Sequence, residues 1–108
     1  RREAMQNGLK EAARVPLSVA RTAAEIFPLA EAVIARGNTN AVTDGLVAAM
    51  MARTAVIGAL FNVKINLGSI KDEEFRAEME KEVSRLEAEA VVYEKRILKS
   101  SELSDSLC

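Results

Sequence analysis

Histidine is absent from this chain, and cysteine occurs once, at Cys108. Without His, the sequence excludes Ser-His-Asp and Cys-His catalytic arrangements. His metal clusters are excluded too, and a zinc site is disfavoured. One cysteine cannot form an intramolecular disulfide, which is typical of a reducing compartment. The glycines are isolated, so there is no phosphate-binding loop. What remains as a candidate for chemistry is the polar constellation around the third helical segment described below, and we expect no metal.

Aromatic residues are also scarce, at 4% of the chain, and tryptophan is absent. Hydrophobic residues make up 49% and charged residues 29% of the 108 positions, which suits a globular fold. The abundance of alanine favours closely packed helices over a sandwich or barrel. We predict an all-α bundle of one domain at most, or part of one.

The charge balance argues against nucleic acid and membrane partners. Fifteen basic and 16 acidic residues give a net charge of −1, and no basic face stands out. The longest charge-free run, Thr54–Val63, is shorter than the roughly 20 residues that span a bilayer. No signal-peptide pattern opens the chain. We expect a soluble, cytoplasmic protein.

The most informative segment is Arg36–Ile70, which is apolar yet rich in asparagine. Its only charged residues after Arg36 are Asp44, Arg53 and Lys64. Such a segment predicts a long, central, buried helix. Burying an amide without a partner costs roughly 2–7 kcal/mol. The asparagines therefore either bond to neighbouring helices or line a polar binding site.

The periodicity of apolar residues predicts four helical segments. The first covers about Arg2–Arg14 and ends at Pro16, because proline removes a backbone donor. The second starts near Pro16, is kinked or restarted at Pro28, and ends at Gly37.

The third segment starts near positions 40–43, with Asn40 or Thr43 as N-cap, and runs to about Leu67.

The fourth segment has Asp72 as a good N-cap and a heptad-like apolar seam. The seam favours either one side of a bundle or a dimer interface, and it consists of Phe75, Met79, Val83, Leu86, Ala90, Tyr93 and Ile97. We predict that residues 1–98 form the helical domain and that 99–108 form a flexible tail.

Two polar groups lie on the third segment. Asn62 and Asn66 are four residues apart, so their amides project from one face. Thr43 and Asp44 lie at its other end, next to the turn that holds Asn38 and Asn40. Together these side chains could line a groove that binds a heterocycle. The alternatives are interhelical hydrogen bonds for Asn62 and Asn66, and turn, capping and helix-dipole roles for the other group.

Three blocks of sequence, taken together, point to a known family. VPLSVARTAAE, LAEAVIARGNTNAVTDGLVAAMM and GALFNVKINLGSIKDEEF occur in that order within about Ala4–Glu89. This arrangement resembles the folate cyclodeaminase/cyclohydrolase family. That family includes the C-terminal domain of formimidoyltransferase-cyclodeaminases and single-domain bacterial methenyltetrahydrofolate cyclohydrolases. One departure is Thr43, where the family usually has serine, and the hydroxyl is kept.

The resemblance implies an all-helical fold that associates at least as dimers and a tetrahydrofolate derivative as substrate, without metal or redox cofactor. The implied reaction either converts 5-formiminotetrahydrofolate to 5,10-methenyltetrahydrofolate and ammonia or hydrolyses the methenyl compound to 10-formyltetrahydrofolate. The catalytic acid is expected in an upstream half of the domain, so this chain corresponds to the C-terminal half. The implied substrate-binding candidates are Asn38, Asn40, Thr43, Asp44, Asn62 and Asn66.

A different class of function is a non-catalytic helical dimerisation module, which the seam of the fourth segment motivates. Whichever function holds, a helix that is apolar on most faces needs neighbours on most sides, and three other segments cannot surround it. We therefore expect the chain by itself to be a dimer or larger, or molten.

Overall fold

A computed structural model describes residues 1–107, and Cys108 lies outside the described part. The described chain is an all-α bundle without strands, as predicted. Its helices are α1 (Arg2–Ala24), α2 (Ile26–Ala35), α3 (Thr39–Leu67) and α4 (Glu73–Lys99), followed by a 3-10 helix (Glu102–Leu107). The bundle is elongated, 57 × 19 × 16 Å, and α3 runs through it in contact with α1, α2 and α4.

The turn before α3 is set by two residues. Gly37 has φ 75°, the left-handed conformation that glycine adopts most easily, and ends α2 as predicted. Asn38 is the N-cap of α3, because its side chain accepts hydrogen bonds from the backbone N–H of Asn40 and Ala41. The prediction that Asn40 or Thr43 caps the helix is therefore wrong by a few residues.

The predicted helix end at Pro16 is also wrong. Helix α1 continues through Pro16 to Ala24, and the chain turns at Glu25 instead. Proline in a helix interior leaves the carbonyl four residues earlier without its helical donor. Here that carbonyl, of Ala12, accepts a hydrogen bond from the Asn66 side chain at 3.2 Å, so α3 supplies the missing donor. Pro28 lies in the first turn of the short helix α2, where proline is tolerated.

Helix α4 begins at its predicted cap. The Asp72 side chain accepts from the Phe75 N–H at 3.0 Å. It also accepts a hydrogen bond from Lys10 Nζ, which holds the pKa of Asp72 below its ordinary value. The predicted seam faces the core, with Met79, Val83, Leu86, Ala90 and Ile97 buried. The seam is therefore used inside this chain.

Ion pairs fasten α4 to each of the other helices. They join Arg21 of α1 to Glu82, Arg53 of α3 to Glu94, and Glu31 of α2 to Arg96, at 2.8, 2.8 and 3.1 Å. Hydrogen bonds from Arg85 and Arg21 lower the pKa of Glu82 to about 2. The Tyr93 ring of α4 also stacks on Phe27 of α2, with centroids 4.9 Å apart. The contacts between α4 and its neighbours therefore combine an apolar seam with charged flanks.

The segment predicted as a flexible tail contains the 3-10 helix after α4. Ser104 is buried there, and the helix contacts α4.

Helix α3 has the length and composition of a membrane span, and it is the central helix of the bundle. Only 39% of its most apolar stretch is buried, so the prediction of a buried helix is wrong for the side that carries Val47, Met51 and Phe61, which no other helix within residues 1–107 covers. Its most apolar stretch has a mean hydropathy of 1.7. The helix nevertheless touches all three other helices, and Arg53 and Lys64 pair with Glu94 and Glu87 of α4.

At Gly45, α2 comes so close to α3 that a Cβ atom would lie 2.9 Å from the Ala30 carbonyl oxygen and 2.5 Å from Ile34 Cγ1. Glycine therefore allows this close crossing, which fixes α2 on one side of α3.

Candidate functional site

An open groove of about 580 Å³ lies between α1 and α3. All of its lining residues are uncharged: five are apolar and two are amides. They are Val15, Pro16 and Val19 of α1, and Ala55, Ala59, Asn62 and Asn66 of α3. Helices α1 and α3 are in contact, and small residues of both helices, including Ala13, Ala20 and Ala52, are fully buried. The groove thus has apolar walls and a small number of polar groups, as ligand sites usually do.

The two amides of the groove differ in how they are bonded. Asn66 is half-buried, and its Nδ2 donates to the carbonyl oxygens of Ala12 at 3.2 Å and Asn62 at 2.9 Å. Asn62 is exposed, and its side chain makes no hydrogen bond to residues 1–107. The Asn62 amide can therefore offer both donors and its acceptor to a ligand, whereas Asn66 already uses its donors.

The other four candidates lie at the start of α3. The Asn38 side chain is used as the helix cap, and the Thr43 hydroxyl donates to the Asn40 carbonyl at 2.9 Å. Asn40 and Asp44 are exposed, and their side chains bond to nothing in the described part of the chain.

The structure does not bring the two groups of candidates together. Asp44 precedes Asn62 by about five helical turns, or about 27 Å along α3 at 1.5 Å per residue. Within this chain, Asn62 and Asn66 share a groove, whereas Asn38, Asn40, Thr43 and Asp44 do not line it.

The α1 wall of the groove was not predicted. Val15 and Val19 are 61% and 53% exposed, yet by periodicity they resemble ordinary positions beside a helical core. The sequence signal for them was the VPL block around Pro16, which the resemblance included without assigning it to a site.

The groove continues into a larger apolar surface, which we call the uncovered face. Val19 lines both the groove and a neighbouring depression beside Ile26 and Leu29. Ala55 lines both the groove and a second depression beside Val47 and Met51. The uncovered face consists of Val15, Val19, Ile26, Leu29, Val47, Met50 and Met51, which are 38–66% exposed. It involves α1, α2 and α3 but no residue of α4.

Within residues 1–107, no group of three His, Cys, Asp or Glu side chains is arranged to hold a metal ion. None of the groove residues titrates near neutral pH, so any proton transfer at this site needs a group from elsewhere.

Comparison with known proteins gives consistent matches. The family model for formiminotransferase-cyclodeaminase matches residues 1–85. Formimidoyltransferase-cyclodeaminase of Sus scrofa is 40% identical over 90 residues, which is 83% of this chain and 17% of that protein. Methenyltetrahydrofolate cyclohydrolase of Methylorubrum extorquens is 38% identical over 93 residues, which is 86% of this chain and 45% of that protein.

A solved structure confirms the fold. The crystal structure of formiminotetrahydrofolate cyclodeaminase from Thermotoga maritima superposes with a TM-score of 0.85 at 35% identity. The match covers 92% of this chain and 50% of that one, so the chain spans half or less of the proteins it matches. On the sequence match over residues 1–85 and the shared helical architecture, the chain belongs to the formiminotransferase-cyclodeaminase family of folate one-carbon enzymes.

Proposed function

We propose that this chain forms part of the substrate site of a folate one-carbon enzyme, and that the groove between α1 and α3 receives the pterin ring of a tetrahydrofolate derivative. The observation that carries the proposal is the groove itself, with its apolar walls and the amides of Asn62 and Asn66. A flat heterocycle with a polar edge matches such a surface, because its faces contact the aliphatic side chains while its edge bonds to the amides.

The proposed reaction is cyclodeamination, in line with the names of the pig relative and the Thermotoga structure. N10 of 5-formiminotetrahydrofolate attacks the formimino carbon and loses its proton. The formimino nitrogen takes up protons and leaves as ammonia, which produces 5,10-methenyltetrahydrofolate. The groove would contribute by holding the pterin so that N10 stays close to the reacting carbon.

Cyclohydrolysis is the second candidate. It is favoured by the Methylorubrum relative, of which the chain covers a larger share than of the pig protein. In that reaction, water adds to the methenyl carbon and the bond to N5 breaks, which yields 10-formyltetrahydrofolate. Both substrates carry the same pterin, so the proposed binding mode of the ring serves either reaction.

Both reactions require a group that moves protons, and a positioned carboxylate is suited to this. The groove supplies none, and Asp44 lies about 27 Å from Asn62 along α3. We therefore propose that the acid comes from a segment outside residues 1–107, upstream in the same domain, and that the site is shared with that segment.

The test uses the complete polypeptide encoded by the gene. Ammonia release from 5-formiminotetrahydrofolate and loss of methenyltetrahydrofolate absorbance are measured separately. We expect one reaction to proceed with a kcat within the usual enzymatic range of about 1–10³ s⁻¹. Tetrahydrofolate should inhibit it, whereas p-aminobenzoylglutamate, which lacks the pterin, should not. A folded protein that turns over neither compound and binds no reduced folate would instead favour the dimerisation module.

A further inference from the structure

Pro16 creates an unusual polar group at the rim of the groove. Because proline has no N–H, the Ala12 carbonyl oxygen loses the donor that continues an α-helix. The Asn66 Nδ2 atom lies 3.2 Å from that oxygen and donates to it. Proline and asparagine, 50 positions apart in sequence, are thereby coupled across the α1–α3 contact.

The same nitrogen also donates to the Asn62 carbonyl oxygen at 2.9 Å. A side-chain amide nitrogen carries two hydrogens, and both are now used. Turning the amide over would place Oδ1 against two carbonyl oxygens, which repel it. The two acceptors therefore fix which end of the Asn66 amide faces the backbone.

One polar atom of Asn66 is left for a ligand. Oδ1 receives no hydrogen bond from the described residues, and Asn66 lines the groove beside Pro16 and Asn62. Asn66 can thus accept from a bound molecule but cannot donate to it. Asn62 has no such restriction, because its amide is not bonded to the protein.

We propose that Asn66 is a specificity-determining residue: its amide, held in one orientation by the Ala12 and Asn62 carbonyls, presents only an acceptor and selects a ligand with an N–H donor. This inference rests on the proposed function, in which that donor belongs to the amino-bearing edge of the pterin. A ligand without the donor leaves Oδ1 unpaired and is rejected, as happens at sites built to hydrogen-bond their substrate.

The experiment compares the dissociation constants of tetrahydrofolate and its 2-desamino analogue for the complete protein. A bound ligand covers Oδ1, and leaving that acceptor unpaired beneath it costs about 1–3 kcal/mol, so the wild type should prefer tetrahydrofolate by about 5- to 150-fold. In Asn66→Ala the preference should fall to about one. Asn7→Ala, on an exposed part of α1 outside the groove, should keep it. A ratio of two affinities for one variant is insensitive to general loosening of the bundle.

Pro16→Ala provides an independent variant, because it keeps Asn66 and adds a backbone N–H that can donate to Ala12. The new N–H competes with Nδ2 for the Ala12 carbonyl, which weakens one of the two contacts that orient the Asn66 amide while the contact to the Asn62 carbonyl remains. The preference should therefore drop several-fold without being abolished, while helix content stays the same or rises. A merely structural role of Asn66 would leave the preference unchanged in Pro16→Ala.

The outcomes separate the two proposals. If the wild type binds neither compound, the proposed function fails and this inference fails with it. If the wild type binds tetrahydrofolate and the 2-desamino analogue equally, or if Asn66→Ala keeps the full preference, Asn66 does not recognise the donor. The proposed folate site is not contradicted by that result. If Asn66→Ala does not fold, an unchanged preference in Pro16→Ala overturns the inference, and a reduced one supports it.

Discussion

Replacing Asn62 by leucine is expected to lower kcat/KM of the complete enzyme for its folate substrate by about 10- to 100-fold. The side-chain amide of Asn62 lines the groove and has no partner among the described residues. Its loss costs the hydrogen bonds to the ligand and leaves the polar edge of the pterin against a methyl group, a penalty of about 1–3 kcal/mol. Helix content should not change, because leucine is among the better helix formers.

A matched variant distinguishes the loss of a ligand contact from a general effect of replacing an exposed asparagine by leucine. Asn7→Leu makes the same chemical change at an exposed position of α1 that does not line the groove. It should retain wild-type turnover. Equal activity of Asn62→Leu and Asn7→Leu, with both proteins folded, would remove Asn62 from the site.

The isolated 108-residue chain is expected to be a dimer or larger assembly, or to lose its fixed packing. The uncovered face groups seven large apolar side chains on α1, α2 and α3. Farther along α3, the side chains of Phe61 and Ile65 are also exposed, at 60% and 77%. Contiguous apolar patches beyond a few hundred Å² are rare on soluble monomers and indicate a contact surface. In the complete protein we expect other helices of the domain, or a second copy, to cover the part of this face that lies outside the groove, namely Ile26, Leu29, Val47, Met50 and Met51.

Sedimentation of two glutamate variants tests this expectation. Met51→Glu puts a charge in the uncovered face and should weaken association at least about tenfold, because burying an unpaired carboxylate is costly. Val92→Glu introduces the same charge at a comparably exposed position of α4, outside the uncovered face, and should have little effect. A compact, well-packed monomer for the unmodified chain would contradict the prediction.

Local patterns were sufficient for much of the fold. The apolar run predicted α3, and Gly37 predicted the end of α2. The Asp72 cap and the apolar seam that follows it predicted α4. Each of these signals depends only on residues close together in sequence. The predicted helix end at Pro16 is wrong because the Asn66 side chain supplies the donor that proline lacks, and no local rule connects these two residues. The resemblance of ordered sequence blocks gave the family, which single motifs did not.

The candidate site was harder to predict than the fold. Two polar groups on one helix were expected to line a groove together, but the length of α3 separates them, and Asn38 and Thr43 bond to their own helix turn. The other wall of the groove is made of exposed valines on α1, which look like ordinary apolar positions until two helices are placed side by side. Whether one face of a helix borders a groove or the core depends on how the helices pack against each other. A single sequence does not show this.

The most direct measurement is a crystal structure of the complete protein with a bound reduced folate. The predicted result is a pterin ring between Val15 or Val19 and Ala55, with its polar edge within about 3 Å of the Asn62 and Asn66 side chains. A pterin bound elsewhere, for example beside Asp44 at the other end of α3 with the groove between α1 and α3 empty or filled by protein, would contradict the proposed site.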